Sequence, residues 1–189
     1  MEVYEAILTR RTIARFTDKP VARELLERIL TAGIWAPNHH LTEPWRFIIL
    51  GPETQRRLAG RFADLKLAKA TVTDPERLSR LHEEHARKFL SIPHIVAVAT
   101  SCEGDEERRR EDFAATSCAV QNIQLAAWAE GIGVKWSTAA VIHDPLAYSL
   151  LALNPAEFDI IGLLFMGYPA DIPTRDRKRP LEEVIREVP

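Results

Sequence analysis

Apolar and polar positions come in blocks along the chain, some repeating every three or four residues and others running continuously. From Ala22 to Ala32, Leu25, Ile29 and Ala32 share one face with Leu26 and Leu30 beside it, and Pro37 closes the region. That spacing predicts an amphipathic helix. Val3 to Leu8 predicts a shorter helix, and Asp18-Lys19-Pro20 a turn. Arg46 to Leu50 predicts a strand stopped by Gly51-Pro52, followed by a helix from Glu53 to about Ala70. Asp74-Pro75 then opens a helix to about Leu90. The Asp side chain can accept from free N–H groups of the first turn, and Pro suits the first helical position. Asp144-Pro145 repeats the signal for a helix through Leu151. His94 to Thr100, Gly133 to Ser137 and Asp159 to Gly167 are the other predicted strands. Few strands separated by unequal helical blocks favour an α+β sandwich over alternating βαβ units.

One predicted helix differs from the rest. Phe113 to Ala129 carries no charged side chain and is rich in Ala, and Gly131 is a natural C-cap. A helix apolar or small on every side is buried on every side. Its expected place is the spine of a homodimer, packed by a partner subunit; the alternative is a central helix within one chain.

Composition narrows the function. At 189 residues the chain suits a single domain spanning 1–189. A net charge of −2 lacks the basic footprint of a nucleic-acid binder. No early segment has the order of a signal peptide, and the uncharged run is too short and polar to cross a bilayer, so no membrane association is expected. Two cysteines without a CxxC spacing point to the cytoplasm.

Arginines cluster near both ends: Arg10-Arg11-Thr12 with Arg15, and Arg175 with Arg177-Lys178-Arg179 before Pro180. Paired guanidinium donors and a hydroxyl suit a phosphate monoester; solvated surface charge is the competing reading. Between helix and strand, Ala36-Pro37-Asn38-His39-His40-Leu41-Thr42-Glu43-Pro44-Trp45-Arg46-Phe47 offers imidazoles, an amide and rigid prolines, a loop able to present donors to a flat heterocycle. Trp45 and Phe47 are expected to anchor the strand in the core. Gly131-Ile132-Gly133 lacks the third glycine and the strand-before-helix order of a dinucleotide fingerprint. Trp136-Ser137-Thr138 ends a strand and could place backbone N–H groups against a ligand. His82-Glu83-Glu84-His85 has neither a third ligand nor the spacing of a metalloprotease site, and reads as a solvated helix face. Glu103 to Asp112 reads as an exposed helix start, and no GxSxG elbow occurs.

In order along nearly the whole chain stand Arg10-Arg11-Thr12 with Phe16-Thr17-Asp18, Ala36-Pro37 through Pro44-Trp45-Arg46-Phe47, Gly131-Ile132-Gly133 with Trp136, Gly167-Tyr168-Pro169, and Arg177-Lys178-Arg179-Pro180-Leu181-Glu182-Glu183-Val184. Together they resemble the FMN-dependent nitroreductase family, nearest its small members. The resemblance implies an α/β sandwich with a central, mainly antiparallel sheet flanked by helices, and a homodimer holding two FMN molecules at its interface. It implies that Arg10, Arg11, Thr12, Arg177 and Arg179 hold the phosphate. Pro37, Asn38 and His39 would line the isoalloxazine, and Trp136, Ser137 and Thr138 would cover its other side or edge. Ala126 to Gly131 would lie near the nicotinamide.

The implied activity passes a hydride from NADH or NADPH through the flavin to a small electron-poor acceptor, a nitroaromatic or quinone, by a ping-pong mechanism. No catalytic side chain and no metal are required, because the flavin carries the chemistry. This chain departs from the family at Thr12, where Ser is usual; at Ala14, where Lys or Arg is frequent; at Leu41, where many have Asn; and at Glu43, where many have Gln. A protonated His39 could supply the charge missing at Ala14. Two other functions fit the same resemblance: a dehalogenase or flavin-consuming enzyme of the same fold, and a flavin-binding sensor without turnover. Residues 62–89 are open between a lid and ordinary packing.

Overall fold

The computed structural model describes residues 1–174 and 178–189. Its elements in chain order are α1 (Val3–Thr9), α2 (Arg23–Gly33), β1 (Trp45–Ile49), α3 (Pro52–Leu67), α4 (Pro75–Leu90), β2 (His94–Ser101), α5 (Glu106–Ala129), β3 (Gly133–Ser137), α6 (Pro145–Leu150) and β4 (Phe158–Gly167). The start signals act as expected. Asp74 accepts from the Arg77 N–H at 2.9 Å, and Asp144 accepts from the Leu146 N–H at 3.0 Å.

The strands form one antiparallel sheet in the order β1-β2-β4-β3. In β2, every residue from Ile95 to Ala99 is fully buried. Side chains alternate across a strand, so Ile95, Ala97 and Ala99 enter one apolar cluster while Val96 and Val98 enter another. The first cluster is closed by Leu58 of α3, Phe89 of α4 and Ala147 of α6. The second is closed by Leu26 and Ile29 of α2 and by Val120, Ile123 and Ala127 of α5. Helices therefore cover both faces of the sheet. A ring as deeply buried as Phe89 contributes about 3–5 kcal/mol by the cost of its truncation. Trp45 is buried against Ala115 and Ala119, with Phe47 packed beside it, as expected of strand anchors.

α5 is longer than the uncharged run. It starts in the charged segment, where Asp105 caps it by accepting from the Arg108 N–H at 2.9 Å. The charge run is not wholly exposed: Asp112 is 2% exposed and accepts from the Thr42 hydroxyl at 2.7 Å. Burial runs along one face through Ala115, Ala119, Ile123 and Ala127, while Ala114, Cys118 and Gln121 stay exposed. The single chain thus leaves an uncharged stripe of α5 in solvent. α3 and α4 pack over the sheet through Leu58, Ala59, Ala63 and Phe89, and within residues 62–89 burial is confined to Ala63 and Phe89.

Candidate functional site

After α1 the chain runs along the open edge of β3. Thr12 forms a parallel bridge to Val134, and the Ile13 N–H donates to the Val134 carbonyl at 3.2 Å. Gly133 permits this approach, since a Cβ there would lie 2.5 Å from Ile13 Cγ1. Phe16 then bridges Pro169, the Thr17 N–H donates to Tyr168 O at 2.9 Å, and the Ala170 N–H donates to Arg15 O at 3.0 Å. The Gly167-Tyr168-Pro169 motif is thereby clamped to the segment that follows the first arginine cluster. The Arg15 guanidinium pairs with Asp171 at 2.9 Å, a hydrogen bond that raises its pKa further. The C-terminal segment therefore departs beside the N-terminal arginine segment.

Within the first cluster, Arg10 donates to Gln124 Oε1 on α5 at 3.3 Å. Arg11 donates to the Leu8 carbonyl at 2.8 Å and to the Arg10 carbonyl at 3.0 Å, a guanidinium placed at the C-terminal end of α1. Thr12 is exposed. Arg179 lies in the exposed segment 178–189, and Arg177 lies outside the described residues.

The 37–43 loop holds an unusual backbone. His39–Leu41 form a 3-10 turn, and His40, Leu41 and Glu43 have φ of 52°, 53° and 43°. Such angles are costly for residues other than glycine and persist where surroundings impose them. Here Asn38 Oδ1 accepts from the Glu43 N–H at 3.0 Å, Thr42 is tied to Asp112, and Pro44 O accepts from the Ser101 N–H at 2.9 Å. His39 Nδ1 lies 2.7 Å from Glu111 Oε2 and its ring stacks on His40. Pro37 is exposed and Leu41 is 81% exposed.

Trp136 packs against the cluster under α2 and α5, with Nε1 donating to Ile161 O at 3.1 Å. Ser137 is buried and Thr138 exposed.

A cavity of about 590 Å³ opens beside Ala14, between the sheet and helices α3 and α4. Phe16, Phe62, Phe89, Ile92 and Phe165 make it apolar, and Arg15, Lys66, His85, Lys88 and Lys135 bring positive or titratable groups to it. His85 is therefore part of a cavity wall, where the sequence reading expected a solvated helix face. The volume falls within the roughly 300–1,000 Å³ of small-molecule sites. Lys88 pairs with Glu84 at 2.5 Å, and that bond holds the Glu84 carboxyl below its usual range. Lys135 Nζ sits 5.9 Å from the centre of the Phe165 ring, and Lys66 Nζ 5.5 Å from that of Phe62. Sequence reasoning missed this cavity because its walls come from five separate stretches of chain.

One geometric relation divides the site residues. The cavity lies by Ile92, at the start of β2, whereas the 37–43 loop joins the sheet at Ser101, its far end. The seven steps from His94 to Ser101 along β2 span roughly 23 Å. Thr12, Ala14 and the cavity form one group within a chain; Pro37, Asn38 and His39 form another.

Residues 7–168 match the model of the Nitroreductase family. YfhC of Bacillus subtilis strain 168, whose name proposes an NAD(P)H nitroreductase, is 32% identical over 186 residues, covering 97% of this chain and 93% of YfhC. A nitroreductase-like family protein from Bacillus cereus superposes with a TM-score of 0.84 at 28% identity, over 100% of this chain and 96% of the other. A nitroreductase structure from Desulfovibrio desulfuricans, determined in complex with FMN, gives 0.73 at 30% identity over 100% and 98% of the two chains. With its antiparallel sheet, its flanking helices and these matches along nearly its full length, the chain belongs to the nitroreductase family.

Proposed function

We propose that the protein is an FMN-dependent oxidoreductase acting as a homodimer, with NADH or NADPH as donor and a nitroaromatic or quinone as acceptor. The observation that carries this reading is the cavity beside Ala14. Aromatic side chains suit a flat ring system, and a cationic rim suits one that becomes anionic on reduction. The residues present therefore fit a flavin. Arg10, Arg11 and Thr12 would hold the phosphate together with Arg177 and Arg179, through charge-assisted bonds and a hydroxyl. The backbone of Trp136, Ser137 and Thr138 would border the ring edge. The chemistry supplied by bound FMN is two-electron transfer, in ping-pong order because donor and acceptor use the same ring face.

A second copy of the chain supports the rest of the site. Pro37, Asn38 and His39 stand too far from the cavity of their own chain to line its ring, so they would serve the cavity of the partner. The uncharged stripe of α5 and the exposed Tyr4, Trp35 and Leu41 offer the apolar surface that such an interface buries. Trp35 is 81% exposed in the single chain and borders an open groove with Ala32, Asn122, Leu125 and Ala126.

The test is purification followed by an absorbance spectrum and anaerobic titration with NADH and NADPH. A yellow protein, or one that takes up FMN, bleached by either nicotinamide and reoxidised by a quinone, is the expected result. A colourless protein that cannot be reconstituted with FMN would overturn the reading.

A further inference from the structure

We propose that Lys135 is the cation that stabilises reduced flavin in this chain, in place of the cation that relatives frequently carry at position 14. The inference rests on the FMN reading above and names one residue of that site. Ala14 brings only a methyl group to the cavity wall. The parallel bridge between Thr12 and Val134 sets Ala14 alongside β3, a step from Lys135. Alternation along β3 sends the two neighbouring side chains to opposite faces. Trp136 packs under α2 and α5, whereas Lys135 lines the cavity over Phe165.

The other cations at the cavity are differently placed. Arg15 is held by Asp171 at 2.9 Å and Lys88 by Glu84 at 2.5 Å. Lys66 is exposed near the end of α3. Lys135 is half-buried and, among the described residues, has no ion pair; its ammonium lies over the phenyl face of Phe165. A half-buried ammonium without a carboxylate loses hydration with no ionic return until an anion arrives. The negative charge that a flavin gains at N1–C2=O on reduction is such an anion. A cation beside it favours the reduced form and raises the midpoint potential.

The experiment uses the FMN-loaded full chain. Lys135→Met is expected to change oxidised-FMN affinity less than threefold by fluorescence quenching, while lowering the ratio of reduced to oxidised affinity about tenfold. One charge contact at a partly exposed site has that order of effect. For a two-electron couple, tenfold lowers the midpoint potential by about 30 mV. Adding Ala14→Lys to Lys135→Met is expected to restore the potential, and Lys135→Arg to keep it. If Lys135→Met does not fold, Lys135→Gln takes its place. An unchanged potential in the flavin-loaded variant overturns the proposal, as does an equal drop in Lys66→Met, which would mean a diffuse rim field. Failure of the unaltered protein to bind FMN would instead defeat the FMN reading itself.

Discussion

The indole of Trp136 occupies the space that any side chain at Gly162 would need. A Cβ at position 162 would lie 2.0 Å from Trp136 Nε1 and 2.4 Å from Cδ1. β2 and β4 shift register here, with Val98 opposite Gly162 and Ala99 opposite Ile160, and the Trp136 N–H donates to Ile161 O. A bulge thus exposes a carbonyl, and a glycine beside it leaves room for the ring that reaches it. Gly162→Ala should cost about 2–3 kcal/mol by overpacking, measured by urea unfolding. Combining it with Trp136→Leu should recover part of that loss. Additive losses would separate the two residues and contradict the packing account.

Asp144 does two jobs from a buried position. Its carboxylate caps α6 and meets Arg61 at 2.8 Å. The Arg61 hydrogen bond is the main cause holding its pKa below the usual Asp value. A carboxyl lowered on folding contributes stability above its unfolded pKa, and that contribution is lost as pH falls through the folded value. Asp144→Asn, which keeps the cap, should unfold at a lower urea concentration than the parent at pH 7. The gap should close below about pH 4, the ordinary Asp range. A gap of constant size across that range would show that charge is not involved.

Thr42 and Asp112 pin the strained loop to α5. Among the described residues, Asp112 Oδ2 is buried without a hydrogen-bond partner, so the Thr42 bond to Oδ1 is the carboxylate's short contact. Arg108 Nε is 3.8 Å away. Thr42→Val should cost about 1–3 kcal/mol, the range for stranding a buried polar group. Amide exchange should quicken across residues 38–43, where left-handed angles need support. Thr42→Ser should behave as the parent.

The exposed stripe of α5 leads to an assembly prediction. Leu125→Glu places a charge where the proposed interface would bury it. Light scattering should report a monomer for the variant and a dimer for the parent. FMN retention should fall with the dimer, because each cavity would lose the 37–39 loop of the other copy. A variant that stays dimeric with full flavin content would place the interface elsewhere.

Much of this architecture was legible in the residues. Asp74-Pro75 and Asp144-Pro145 act over a few positions, and local signals of this kind survive into the fold. Strand β2 was readable because a central strand buried on both faces is apolar throughout. The 3-10 turn at His39–Leu41 was not, since positive φ is ordinarily marked by Gly or Asn, and the loop carrying His40, Leu41 and Glu43 is instead tied down by Thr42 on Asp112 and by Asn38 accepting from the Glu43 N–H. Asp112 looked like part of a solvated charge run, and only the approach of Thr42 shows why it is buried. The clusters around Arg10 and His39 stood out by composition. Lys135 did not, and His85 stood out only within a run that reads as a solvated helix face, because a cavity assembled from five segments leaves no local pattern.

The central claim is that one chain's cavity and another chain's loop enclose a single flavin. A crystal structure of the protein grown with FMN tests it most directly. The ring should lie in the cavity bordered by Ala14 and Lys135, with the 37–39 loop of a second copy against it and the phosphate on Arg10, Arg11 and Thr12. An FMN enclosed by one chain alone, or bound away from that cavity, would contradict the account.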